Sequence, residues 1–142
     1  MGAESKPYKS KEDFPSTVSE PEILYAIRKH DINSGHISML KDLSGLKDDL
    51  LSDALNMNTK TFRSYKQTPS PIKPHVREHV LALLSLYNHG IAVFGSSQKF
   101  NQWLSKINFY FDNDSPINFI NTISGIIHID QRLSAIEYGD NV

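Results

Sequence analysis

Residues 75 to 79 read His75-Val76-Arg77-Glu78-His79. This is an H-x-x-E-H run, the pattern in which two histidines four residues apart on a helix face one metal ion. Such a site needs a third ligand, and the only glutamate farther along the chain is Glu137, near its end. Lys73 before the run and Arg77 within it would also repel a cation. The expectation is therefore two solvent-facing histidines flanking an apolar stripe. The chain has no cysteine, which removes thiolate nucleophiles, disulfides and Cys-ligated zinc together. Serines are plentiful, but no G-x-S-x-G elbow and no glycine-rich phosphate loop occurs. The sequence thus predicts no catalytic residue, no metal and no cofactor.

Charge clustering points to binding instead. From Thr59 to Arg77 the chain carries five basic residues (Lys60, Arg63, Lys66, Lys73 and Arg77) and no acid. The run begins where a second helix follows a short turn. A recognition helix presents its first residues to base edges while nearby cations hold phosphates. Asn58, Thr59, Lys60 and Thr61 would be presented first, with Arg63, Ser64 and Lys66 following. The same pattern also describes a two-helix packing unit with a solvated basic face. The formal net charge of the whole chain is −1. One protomer would therefore hold DNA modestly, and a dimer or larger assembly would add phosphate contacts.

The C-terminal end has the opposite sign. Residues 112 to 142 hold Asp112, Asp114, Asp130, Glu137 and Asp140 against Arg132 alone. Just before them Phe109, Tyr110 and Phe111 form an aromatic cluster that no helical spacing explains. An aromatic cluster rimmed by acids suits a specific protein contact with a basic partner. Ordinary helix solubility accounts for the same acids.

Helices must position all of this. Ser19 is a helix cap ahead of Glu20, Pro21 and Glu22, with Ile23, Leu24 and Ile27 as the apolar stripe. Gly35 and Gly45 bracket a short helix whose buried side is Ile37, Leu40 and Leu43. Leu50, Leu51, Ala54 and Leu55 form one face of a helix that stops at Asn56, a substitute for glycine in the left-handed conformation. Asn58 caps the next helix, where Phe62 and Tyr65 recur. A proline-rich boundary, QTPSPIKP, precedes the strongest apolar periodicity, Val76, Val80, Leu83, Leu84, Tyr87, Ile91 and Phe94, which Gly95 ends. Phe100, Trp103, Leu104 and Ile107 mark a shorter helix capped by Ser96 or Ser97. Ser115 and Pro116 start another that Gly125 stops, with Phe119, Ile120 and Ile123 facing inward. A final helix carries Ile129, Leu133 and Ile136 and ends at Gly139. The expected fold is all-α: a disordered tail over 1–18, a helix-turn-helix part over 19–72, and a small helical part over 73–142. No apolar run nears the ~20 residues of a membrane span. The N-terminus lacks a signal-peptide core and Lys6 misses the myristoylation pattern, so a cytoplasmic protein without a membrane is expected.

Over the stretch from about Ile27 to Gly139 the chain resembles the antitoxin Xre/MbcA/ParS family. In the first half the resemblance rests on LLSDALNMNTKTFRSYK, with Thr61-Phe62 at the family's Thr-aliphatic pair. In the second it rests on FGSSQKFNQWL, Asn108, SPINFINTISG and RLSAIEYG. The chain departs from the family pattern in its longer NFYFDND segment, in the FNQ run before Trp-Leu, and in Asn56 at the turn. The resemblance implies an Xre-like DNA-binding part and a C-terminal toxin-binding part. It also implies a homodimer, a cognate RES-domain toxin that consumes NAD, and repression of its own operon through operator DNA. The segment covering the toxin's active site would be Tyr138 to Val142. Glu137, Asp140 and the carboxylate of Val142 would occupy basic toxin groups, with Gly139 between them. The aromatic loop at Phe109, Tyr110 and Phe111 would choose the partner. The competing expectation is a free-standing helix-turn-helix repressor without a toxin.

Overall fold

In the computed structural model, which describes residues 14–68 and 71–142, the helical periodicity becomes seven α-helices. They are α1 (Glu20–Lys29), α2 (Ser34–Ser44), α3 (Asp48–Ala54), α4 (Thr59–Gln67), α5 (Pro74–Phe94), α6 (Ser97–Ser105) and α7 (Ile123–Glu137). Two short 3₁₀ turns, Phe109–Phe111 and Pro116–Phe119, join α6 to α7. The described residues contain no strand, so the fold is all-α as expected; one isolated bridge pairs Asn108 with Asp114.

The organising element is α5. Pro74 sits in its first turn, where a missing N–H costs nothing, and Gly95 ends it at φ 94°. Every residue from His79 to Gly90 is buried. A helix that is apolar all round must be surrounded, and α1, α2, α6 and α7 pack against it. Fully burying Leu81, Leu83, Leu84 and Leu86 contributes about 2 kcal/mol each. The 72/73 boundary therefore separates two sequence patterns that share one core, with Ile32, Ile37 and Phe62 in the same cluster as Leu104 and Ile129. No single helix among the described residues is long and apolar enough to cross a membrane.

Several boundaries differ from expectation, each for a local reason. Of the tail expected over 1–18, residues 1–13 lie outside the described residues, but Phe14 and Val18 are buried in the core. Asn88 donates to the carbonyls of Phe14 and Pro15, and the Val18 amide donates to Asp130 at 2.9 Å. Gly35 lies inside α2 rather than before it, because Asn33 and His36 form a reciprocal capping box. Leu24 and Leu50 are exposed, as is Ile107, which follows the end of α6. Ser96, not Ser97, caps α6.

The largest difference is at Gly125. The expected helix from Pro116 to Gly125 is only a 3₁₀ turn, and Ser115 makes no side-chain cap bond. Thr122 caps α7 instead, its Oγ1 accepting from the Gly125 amide at 2.9 Å. Gly125 stands in the first turn of α7 because a Cβ there would overlap the Phe119 carbonyl oxygen. Gly90 has a related role: a Cβ would lie 2.5 Å from the ring of Phe100, itself fully buried. Alanine at either site gains up to about 1 kcal/mol of helix propensity, which the overlap exceeds. Gly125→Ala is expected to cost about 3 kcal/mol in urea unfolding, because backbone must move. Gly90→Ala should cost about 2 kcal/mol, because a ring must tilt.

Candidate functional site

The basic surface is built on the α3–α4 pair. Helix α3 closes with the Met57 amide donating to the Ser52 carbonyl at 3.0 Å, while Asn56 takes φ 59°. That is the left-handed stop expected of this asparagine. Asn56 then ties the turn to the C-terminal part by donating to the Asn121 carbonyl. Asn58 caps α4, its side chain accepting from the Thr61 amide at 2.8 Å, and Phe62 anchors the helix in the core.

Asn58, Lys60, Thr61, Arg63, Ser64 and Lys66 are all exposed and Thr59 is half-buried. Not all are idle. The Asn58 oxygen is used as the cap, Thr59 Oγ1 sits 3.3 Å from Ser52 Oγ, and Ser64 donates to the Thr61 carbonyl. Arg63 and Lys66 both reach Asp48 at the start of α3, at 3.4 and 3.2 Å, and Lys41 of α2 joins them at 3.1 Å. Hydrogen bonds from Lys41 and Lys66, then Arg63, hold the Asp48 carboxyl down at about 2. One carboxylate thus gathers three cations, and Lys60 makes no ion pair among the described residues.

The histidine run divides. His75 is exposed, whereas His79 is buried with Nε2 2.8 Å from the Ile120 carbonyl oxygen. A carbonyl only accepts, so this nitrogen carries the proton and has no lone pair for a metal. The expectation of two solvent-facing histidines is corrected: His79 is a core group that ties α5 to the loop before α7.

The aromatic loop is folded tightly. Asn108 accepts on its side chain from the Tyr110 amide and on its carbonyl from the Phe111 and Asn113 amides, and its own amide donates to the Asp114 carbonyl. Asp112 and Asn113 take positive φ to close the turn. The three aromatics consequently face different ways. Phe109 is 78% exposed and Tyr110 is 41% exposed. Phe111 is buried against Trp103, Phe119 and His128, so it is a core residue and not a contact surface.

The following acids are also committed. Arg132 of α7 stacks on the Tyr110 ring at 3.4 Å, pairs with Asp140 at 2.8 Å and donates to the Asn141 carbonyl. That hydrogen bond from Arg132 holds the Asp140 carboxyl below its ordinary range. Gly139, at φ 104°, turns the chain, and Trp103 Nε1 donates to the Val142 carbonyl at 3.4 Å. Tyr138 stands 88% exposed. Glu137 accepts from His89.

Residues 89–139 match the family model described as the antitoxin Xre/MbcA/ParS C-terminal toxin-binding domain. The match supports an antitoxin that binds a toxin through this part of the chain, a regulatory binding role. It spans the end of α5, α6, the aromatic loop and all of α7; α3 and α4 lie outside it. No curated protein matches the chain.

Within the matched stretch is a network that the sequence alone did not reveal. Nδ1 of His89 lies 2.7 Å from Asp130 Oδ1 and Nε2 lies 2.9 Å from Glu137 Oε1. Asp130 and Glu137 stand two turns apart on one face of α7, a spacing that was visible in the sequence, but only α5 against α7 brings His89 between them. Carboxylates accept from both ring nitrogens, which makes His89 an imidazolium. Burial pulls its pKa down, but the hydrogen bonds and charges of Asp130 and Glu137 outweigh this and raise it above 6.5. The stability it contributes is full below pH 6.5 and is lost as pH rises through the raised folded value. His36 and His79 are depressed chiefly by burial and act in the opposite sense, below pH 6.5. Urea unfolding of wild type and His89→Gln across pH isolates the network. The difference should be about 3 kcal/mol at the acid side of neutrality and shrink as pH rises.

Proposed function

We propose that this chain is the antitoxin of a type II toxin–antitoxin pair. The match of residues 89–139 to a toxin-binding domain carries the reading. Its toxin is of the RES type, an NAD-consuming enzyme, and neutralisation is steric. The aromatic loop and the segment Tyr138 to Val142 seat against the toxin, and that segment covers its active-site cleft. The exposed Phe109 and Tyr138 supply apolar contact. For Asp140 to reach basic toxin groups it leaves Arg132, so binding exchanges an internal ion pair for an intermolecular one.

The chain acts as a homodimer and represses its own operon through α4. The exposed cations of α4 support this part of the reading, and dimerisation adds the phosphate contacts that one nearly neutral protomer lacks. In the competing reading, a free-standing repressor, the α4 surface acts alone.

Co-expression with an adjacent RES-like reading frame separates the two. Co-purification and loss of NAD consumption are expected of the antitoxin. DNA binding without either result leaves the repressor. Deleting residues 138 to 142 should restore toxin activity; full neutralisation by the truncated chain would refute the covering role. On operator DNA, Lys60→Ala with Arg63→Ala should weaken binding and flatten the salt dependence by about two counterions, leaving toxin binding intact. Asp48→Asn, which releases Arg63 and Lys66, should tighten it.

A further inference from the structure

The acidic C-terminal end points to a basic partner, but the charged side chains lining one cleft beside the aromatic loop have the other sign. Between α6 and that loop runs a cleft of about 470 Å³ lined by Trp103, Ile107, Phe109 and Tyr110. Ile107 and Phe109 are each about three-quarters exposed, which is unusual for two large apolar side chains lining one cleft. The charged side chains lining it are Lys99 and Lys106, and no aspartate or glutamate lines it; Val142, of the segment 138–142 that the proposed function moves onto the toxin, lines it too. Among the described residues neither lysine makes an ion pair. Most of the nearby acids are otherwise engaged, Glu137 and Asp130 on His89, Asp140 on Arg132, and Asp114 on Ser115 and Asn118, and the exposed Asp112 does not line the cleft.

From this juxtaposition we infer that the cleft takes an apolar segment of the toxin that carries carboxylates at its edges. The inference rests on residues 89–139 being a toxin-binding domain and names the chemistry that this surface recognises. The apolar floor supplies affinity by excluding water, and the two lysines set the charge of the partner. The shape of the loop makes the site ready-made. Asn108 locks it by four hydrogen bonds, counting both those it accepts and its own to Asp114. Phe111 plugs it into the core, so Phe109 is held out without cost on binding.

Trp103 lines the cleft and is the chain's single tryptophan, so its fluorescence reports occupancy directly. The probes are two synthetic amphipathic peptides with the same Leu/Phe pattern, one with glutamate and one with lysine at the polar positions. The full chain should show a saturable Trp103 shift with the glutamate peptide, about tenfold tighter than with the lysine peptide. Lys99→Glu with Lys106→Glu should invert the preference, and Phe109→Ser, an exposed change, should abolish both shifts. Equal response to the two peptides, a preference for lysine, or no response overturns the inference. So does sedimentation showing that the chain dimerises through this cleft and that Phe109→Ser makes it monomeric, since the occupant is then a second copy. Failure to neutralise or co-purify with a RES-like protein instead overturns the antitoxin reading, whatever the peptides do.

Discussion

A helix buried on every side is the constraint from which the rest of this molecule follows. Leucines 81, 83, 84 and 86 supply the burial, but they are indifferent to which neighbour covers them. The polar side chains of α5 are not. Leaving a donor or acceptor unmade in the interior costs about 1 to 3 kcal/mol, and apart from the Ser85 hydroxyl the buried ones find partners. His79 takes the Ile120 carbonyl, Tyr87 takes Asn101 of α6, Asn88 takes the carbonyls of Phe14 and Pro15, and His89 takes Asp130 and Glu137 of α7. Four separate pieces of chain are thereby assigned to places around one helix. Apolar area gives the core its stability, and these bonds give it its arrangement.

That division explains what was legible in the sequence. The helices α4, α5 and α6 announce themselves by spacing and caps, because those signals are local: Asn58 caps α4 and Asn56 stops α3 whatever lies nearby. The all-α class follows from them. What could not be read was set by contacts across the fold. Gly125 looks like a helix stop in isolation, and only the approach of the Phe119 carbonyl makes it an interior residue. Phe14 and Val18 look like tail among polar neighbours, and only Asn88 and Asp130 hold them in. The exposed position of Leu24 within an apolar stripe has the same origin, since a helix pattern gives a face without saying how much of it a neighbour covers.

The candidate surfaces were legible by composition and misleading by sign. Counting residues makes α4 basic and the chain's end acidic, and both counts are correct. Pairing changes what they mean. Asp48, in a different helix, gathers Arg63, Lys66 and Lys41, so the basic surface is partly answered from within. Three acids of the end, Asp130, Glu137 and Asp140, are answered by His89 and Arg132, each buried and each cationic, and both lie in the stretch matching a toxin-binding domain. An exposed ion pair is worth little to stability, about 0 to 1 kcal/mol, so such pairs are easily exchanged for intermolecular ones. A buried imidazolium between two carboxylates is not.

This difference orders the C-terminal region by how readily each part can change. His89, Asp130 and Phe111 lie inside, and rearranging them would expose an unpaired charge or open the core. Arg132 is intermediate: its guanidinium is buried under Tyr110, but what it holds, Asp140 and the Asn141 carbonyl, is at the surface. A partner offering another cation to Asp140 and another acceptor to Arg132 displaces the end of the chain without disturbing the helices beneath. The aromatic loop lacks that freedom, because its hydrogen bonds close on Asn108 and its third ring is fixed in the core. The region therefore combines a rigid apolar platform with an exchangeable terminal segment beside it. Under the proposed function the platform sets which protein binds while the segment moves to meet it.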